Sequence, residues 1–334
     1  MRIPSDPAFL GGSGSGGEAI RLAIMQEMAR DDSVFAYGEG INDPSGFFGT
    51  TVGLAERFPG RVLDTPNSEE SLVGFGIGAS LGGLRPILVN LRVEFLLLAM
   101  NQIVNHAAKW RSMTGTSELP LTIRALVGRG WGQGAQHSGV YGPLFAHVPG
   151  LEVAVAADAR SAAGLLVACV RSDSPSIIIE PKAILADACG LETEVQPVGV
   201  GKAEVLEVGV DFTLIAVGDG VRTALEAAAL LKSRSIAVEV IDLRWMAPVD
   251  EECIERSVCK TRRVGVVDIG WSKYGVAAEV ARIVLSRGID MESPLLDWSP
   301  SSHAPAGCFL EAGHYPIAGR IARDVALSVR GHRE

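Results

Sequence analysis

Apolar positions along this 334-residue chain fall into two alternating rhythms. Ala19-Ile20, Leu22-Ala23-Ile24 and Met28 recur at helical spacing and lead into the apolar run Val34-Phe-Ala-Tyr-Gly38, which predicts a helix followed by a buried strand. The same reading gives strands at Arg85–Asn90, Pro120–Val127, Glu152–Ala156 and Ser176–Pro181, with helices at Glu94–Trp110 and Ala159–Arg171. Beyond residue 199 it gives strands at Phe212–Val217, Ala237–Asp242 and Arg263–Val267 and helices at Thr223–Ser233, Asp250–Lys260, Val276–Arg287 and Ile317–Val329. Alternation of this kind belongs to parallel sheets with helices on both faces. Residues 183–199 lose periodicity and gather Asp, Gly, Thr and Pro, so they are expected to link an α/β domain over 18–182 to a second over 200–334. The run Gly11-Gly-Ser-Gly-Ser-Gly-Gly17 closes an expected flexible tail over residues 1–17.

One stretch departs from ordinary helix composition. After the turn Asp64-Thr-Pro and the N-cap candidate Ser68, a helical segment carries Gly74, Gly76 and Gly78 between Leu72, Phe75, Ile77 and Leu81. Each interior glycine costs roughly 1 kcal/mol relative to Ala, so a helix or a ligand must come close to the backbone there. Glu69 and Glu70 stand at its first turn, where an acidic side chain complements the helix dipole or closes a capping box. They are about 100° apart around the axis and cannot share a direction.

Composition narrows the classes. With 47% hydrophobic residues but only 6% aromatics, the chain matches parallel strands buried on both faces. A net charge of −9 argues against nucleic acid and anionic membrane partners. Five cysteines without a Cys-x-x-Cys pair read as reduced structural thiols of a cytoplasmic protein. No apolar run reaches the roughly 18 residues of a membrane span.

The chemistry-bearing residues lie in loops and at element ends. Glu39, in Gly38-Glu-Gly-Ile-Asn-Asp-Pro-Ser-Gly46, reads equally as a solvated loop acid and as a lining residue. Gly128-Arg-Gly-Trp-Gly-Gln-Gly-Ala-Gln-His-Ser138 lacks the Lys-Ser or Lys-Thr of a P-loop, and no acid ends a following strand as a dinucleotide fingerprint requires. Such a loop can hold a side chain at a cleft, which singles out His137, while His147 in Phe-Ala-His-Val-Pro reads as structural.

Asp64-Thr-Pro-x-Ser-Glu, the following Gly-x-Gly-x-Gly-Ala and Gly-Leu-Arg-Pro, Asn101-Gln-Ile-Val-Asn-His-Ala-Ala-Lys109, Gln136-His-Ser138 and Asp242-Leu-Arg together resemble the β-subunit of the thiamine-diphosphate-dependent, decarboxylating component of 2-oxo acid dehydrogenases. The likeness spans roughly residues 18–330. It implies a pyrimidine-binding domain followed by a transketolase C-terminal-like domain. It further implies that Glu69 binds and activates the cofactor's aminopyrimidine, that Phe95 stacks on that ring, and that His137 lies near the reacting carbon. Departures from the family pattern include Gly-Glu-Gly at residues 38–40, together with Pro66-Asn67, Leu91–Glu94 and Trp131, and these put the substrate in doubt.

Gly218-Asp-Gly220 looks like the opening of the family's metal and diphosphate motif, but no asparagine occurs after Asn105 to complete it. It is therefore read as a strand-end turn, with no metal ligands assigned to this chain. The resemblance then implies an α-type partner supplying the diphosphate site and Mg²⁺, in a heterotetramer with self-association and with a lipoyl acyltransferase as a further partner. Two other readings stay open: a split transketolase-like or acyloin-forming transferase, and a non-catalytic assembly protein of the same fold.

Overall fold

The computed structural model describes residues 12–115, 118–128 and 132–331. The chain divides into two compact units, Met1–Val127 with Leu144–Val200 and Gly128–Pro143 with Gly201–Glu334.

The first unit begins with β1 (Gly12–Ser15) and α1 (Gly16–Arg30). Ser15 caps α1 through a capping box in which the Glu18 amide donates to its Oγ at 3.3 Å and Glu18 Oε2 accepts from its amide at 2.8 Å. After β2 (Val34–Gly38) come α2 (Leu54–Arg57), β3 (Val62–Asp64), α3 (Glu69–Leu81) and β4 (Arg85–Asn90). A 3₁₀ segment Val93–Ala99 and a π-helix Asn101–Ala107 precede α4 (Trp110–Thr114). β5 (Thr122–Val127), α5 (Gly142–Ala146), β6 (Glu152–Val155), α6 (Ala159–Arg171), β7 (Ser176–Pro181) and β8 (Ala188–Leu191) follow. Strands run parallel in the order β6-β7-β5-β4-β2-β3, and β2, β5 and β7 are buried along their whole length. Such strands read as continuous apolar runs, which is why the sequence exposes them.

Three expectations change. The glycine run is not a tail over its described part: β1 pairs antiparallel with β8, from Gly12 opposite Leu191 to Ser15 opposite Ala188. The Gly16 amide donates to the Asp187 carbonyl at 3.0 Å, and a Cβ on Gly16 would lie 1.9 Å from the Ile184 carbonyl oxygen. These glycines therefore serve close packing rather than freedom. The expected linker 183–199 contains β8 and groups with the first unit. The expected long helix Glu94–Trp110 is broken into 3₁₀, π and α turns; the Ala108 amide reaches back to Ile103 at 2.9 Å, an i to i−5 bond.

The second unit is built on β9 (Glu204–Glu207), β10 (Phe212–Ala216), α7 (Gly220–Lys232), β11 (Val238–Asp242), β12 (Trp245–Ala247), α8 (Glu251–Thr261), β13 (Val264–Val267), α9 (Val276–Ser286), β14 (Leu296–Asp297), α10 (Cys308–Glu311) and α11 (Ala318–Arg330). Its sheet has the order β14-β13-β10-β11-β9, parallel except for the edge strand β9. Residues 128–143, expected in the first domain, group here because Gln133 bridges to Ala306, the Gly132 amide donates to Glu311 Oε1 at 3.0 Å, and Tyr141 packs edge-on against Trp271. Gly218–Gly220 is a turn at the end of β10 that opens α7. A Cβ on Gly220 would meet the Val267 carbonyl oxygen at 2.2 Å, so packing alone requires that glycine.

Candidate functional site

The carboxyl ends of three adjacent parallel strands in the first unit supply the candidate residues. Glu39 follows β2 directly, Glu69 opens α3 after β3, and Phe95 lies in the 3₁₀ segment after β4. This is the edge of an open α/β sheet at which loops gather side chains.

Ser68 occupies the N-cap of α3 but makes no side-chain bond to the helix backbone; its hydroxyl donates to Ser71 Oγ at 2.9 Å. The two glutamates part as their angular offset requires. Glu70 is exposed and its Oε1 accepts from Asn101 Nδ2 at 3.5 Å and Gln102 Nε2 at 3.4 Å. Glu69 is half-buried and has no hydrogen-bond partner among the described residues. The π-helix thus holds one carboxylate and leaves its neighbour unbound.

Glu39 is 7% exposed, and its Oε1 is buried with no partner among the described residues. Burial pushes its carboxyl above the ordinary range, and the nearby negative charge of Glu69 pushes it further. The solvated-loop reading of Glu39 therefore fails: it is a buried acid repelled by a second, and neither has a hydrogen-bond partner among the described residues.

Of the three helix glycines, only Gly76 is tightly crowded. A Cβ there would lie 2.3 Å from Tyr37 Oη and 2.7 Å from a Leu121 methyl carbon. The Tyr37 hydroxyl in turn donates to the Leu72 carbonyl at 2.8 Å, pinning α3 on β2. Gly78 has open space around it. Phe75 is 49% exposed and packs edge-on against Tyr37 and Phe35, with centroids 5.2 and 6.1 Å away.

Behind the strand ends, Arg124 on β5 and Glu180 on β7 form a fully buried pair, Nε to Oε1 at 2.9 Å and Nη2 to Oε2 at 2.8 Å. Arg124 also reaches Thr50 Oγ1 at 3.3 Å and lies over the Phe47 ring, fixing the loop that begins with Glu39. Their signal in the sequence was one charge set inside each of two otherwise apolar strands. His137 is half-buried in a turn closed by its amide to the Gly134 carbonyl at 3.3 Å, in the second unit; His147 is exposed in the first. Trp131 lies outside the described residues.

The profile of the transketolase pyrimidine binding domain matches residues 15–187, and that of the transketolase C-terminal domain matches residues 201–294. The pyruvate dehydrogenase E1 component subunit beta of Rickettsia bellii is 38% identical over 83% of this chain and 86% of its own. The chain belongs to this transketolase-like family of β-subunits. Another member is the acetoin:2,6-dichlorophenolindophenol oxidoreductase subunit beta of Cupriavidus necator, 37% identical over 94% of this chain and 96% of its own. A solved split gene transketolase, an inactive beta4 tetramer, shares the α/β fold with a TM-score of 0.80 at 21% identity, covering 96% of this chain and 99% of that one.

The residues at the strand ends fit the pyrimidine half of the cofactor to which such a family points. Glu69 is an unbound carboxyl able to meet a ring nitrogen, and Phe95 offers a half-buried aromatic face. Among the described residues no three His, Cys, Asp or Glu side chains cluster so as to hold a metal ion, and no helix is long and apolar enough to cross a membrane.

Proposed function

We propose that this chain is the β-type subunit of a thiamine-diphosphate-dependent enzyme that decarboxylates a 2-oxo acid and passes the acyl group to an acceptor such as a lipoyl arm. The observation that carries this reading is the division of labour at the start of α3, where Asn101 and Gln102 hold Glu70 while Glu69 stays unbound opposite the buried Glu39. When bound, thiamine diphosphate supplies a nucleophilic carbon and an electron sink for loss of carbon dioxide.

In this reading Glu69 holds and moves a proton at the ring nitrogen of the aminopyrimidine, and Phe95 sets the plane of that ring. Glu39 keeps a second acid beside it. His137 donates to the substrate oxygen. An α-type subunit supplies the diphosphate and Mg²⁺ contacts, consistent with the missing asparagine after Gly218-Asp-Gly220, and the pair assembles as a heterotetramer. The almost full-length match to the acetoin-oxidoreductase β-subunit favours, as a second reading, a subunit acting on acyloins.

The test uses the chain reconstituted with its α-type partner. Glu69→Gln keeps the shape but cannot cycle a proton, and is expected to lose roughly 10²-fold or more of turnover. Glu70→Gln should lose less than about tenfold, because an exposed charge contributes little. A larger effect at Glu70 overturns the assignment. A panel of 2-oxo acids and acyloins separates the two substrate readings.

A further inference from the structure

Residues 91–94, where the sequence departs from its family's pattern, leave β4 on the same edge of the first unit's sheet as the candidate site. Ala125 of β5 stands level with Asn90 of β4 on one side and with Ile179 of β7 on the other. Arg92, two residues past Asn90, and Lys182, three past Ile179, therefore come off the sheet at nearly one height, on strands roughly 10 Å apart. On the far side of β4 the chain sets Glu39 after β2 and Glu69 at the start of α3, beyond β3. The edge is polarised, with two cations along one half and two acids along the other.

Both cations are held in place. The Arg92 carbonyl accepts from Asn90 Nδ2 and from the Phe95 amide at 3.1 Å, which ties its backbone to the segment carrying Phe95. Lys182 opens the 3₁₀ turn Lys182–Ala186, and its Nζ lies 4.4 Å from the centre of the Phe48 ring, in the loop that begins with Glu39. Each of the two is half-buried, so part of each stays open to a ligand. Burial lowers the proton affinity of the Lys182 ammonium, and the positive charge of Arg92 lowers it further. Burial likewise acts on Arg92, against the pull of Glu94. Like charges held within reach of one another repel, and an anion between them removes that cost.

We propose that Arg92 and Lys182 form a subsite for the carboxylate of a small organic acid, which in the proposed reaction is the 2-oxo acid substrate. A guanidinium presents a planar pair of N–H groups and an ammonium a point charge, and together they match the two oxygens of one carboxylate. Charge selects among anions: the positive Arg92 and Lys182 and the negative Glu94 leave about +1, which one carboxylate neutralises, whereas a phosphate brings about −2. That sum favours a 2-oxo acid over a sugar phosphate and over an uncharged acyloin. The subsite's use by the substrate rests on the proposed function; its preference for a carboxylate does not.

Lactate and lactamide share one shape and carry no 2-oxo group to react, so their titration into the full-length chain by ligand-observed NMR tests the subsite apart from turnover. Lactate is expected to bind in the millimolar range suited to so few atoms, and lactamide about tenfold more weakly. Arg92→Gln and Lys182→Gln should each weaken lactate about tenfold and leave lactamide unmoved. Glu94→Gln should instead strengthen lactate severalfold, because it removes the opposing charge. Were Arg92 only a brace for Glu94, that variant would act like Arg92→Gln. Unchanged melting curves show that the variants fold. No binding of lactate, equal binding of the two probes, lactate affinity untouched by both cation variants, or a weaker lactate complex in Glu94→Gln overturns the proposal. In the enzyme reconstituted with its α-type partner, the two cation variants should raise KM for the 2-oxo acid about tenfold, and an unchanged KM overturns use of the subsite by the substrate. A wild-type enzyme that turns over no 2-oxo acid sinks the decarboxylase reading, while the lactate titration still decides the subsite.

Discussion

Glu180 and Glu39 are both buried acids of the same α/β unit, and the fold treats them in opposite ways. Glu180 lies in the sheet interior with both oxygens bonded to Arg124, whose remaining surface meets Thr50 and the Phe47 ring. Glu39 is nearly as hidden, yet one oxygen has no partner among the described residues and the negative charge of another acid, Glu69, acts on it. The first arrangement satisfies two ions in a place water does not reach. The second retains an unfavourable pair of like charges at the strand ends where the proposed chemistry happens. Buried charge is a structural brace where it is fully paired, and where it is not its cost asks for another explanation, which the proposed chemistry supplies for Glu39.

The largest effect should come from breaking the brace. Glu180→Ala leaves the Arg124 guanidinium buried and alone, and is expected to cost about 3–5 kcal/mol in urea unfolding. Replacing both partners by apolar residues, Arg124→Met with Glu180→Leu, should recover most of that loss. A cost below about 1 kcal/mol for the single variant would mean that water reaches the pair.

Asp268 in the second unit sharpens the other side of the comparison. It is fully buried after β13; its Oδ1 accepts from the Gly270 amide at 3.0 Å, while Oδ2 has no partner among the described residues. Burial raises its carboxyl from 3.8 to about 6, against the pull of the Gly270 and Ile269 amides and with help from Asp297. A folded-state value above the unfolded one means the ionised group opposes folding at neutral pH, by something on the order of 3 kcal/mol, and that this penalty fades as pH falls through about 6 toward 3.8. Asp268→Asn should therefore stabilise the chain at pH near 8 and lose that advantage toward pH near 4. A pH-independent difference between the two unfolding curves would show that the carboxyl does not titrate there.

The smallest of these effects belongs to Glu39. Its folded-state carboxyl is likewise raised, so Glu39→Gln should add stability at neutral pH, less than Asp268→Asn adds, and the gain should shrink on acidification toward 4.5. In the reconstituted enzyme that gain should come with reduced turnover. Full activity in the stabilised variant would make Glu39 a packing defect rather than part of the site.

Much of this was legible in the chain itself. Continuous runs such as Val34–Gly38 and Ile177–Ile179 gave the parallel strands, because burial on both faces removes the usual alternation of polar positions. The acids of α3 were separable by helix geometry alone. The partner of Gly76 was not, since Tyr37 is distant in sequence and nothing in glycine spacing says which ring will approach. Glu39 stayed ambiguous for a related reason: a loop rich in Gly, Asn, Asp and Pro looks solvated, and only its anchoring through Thr50 and Phe47 to Arg124 turns it inward. Short strands such as Gly12–Ser15 and Leu296–Asp297 escape any periodicity, being too brief to show one.

The pairing of β1 with β8 also sets an order of events during synthesis. Gly12–Ser15 precedes every strand of the parallel sheet along the chain, but the strand that receives it, Ala188–Leu191, follows the last of them, Ser176–Pro181. Ser15 caps α1 and the Gly16 amide waits for Asp187, so the beginning of that helix cannot be sealed by its neighbours until the same moment. During synthesis the parallel sheet can therefore assemble before β1 finds its partner strand.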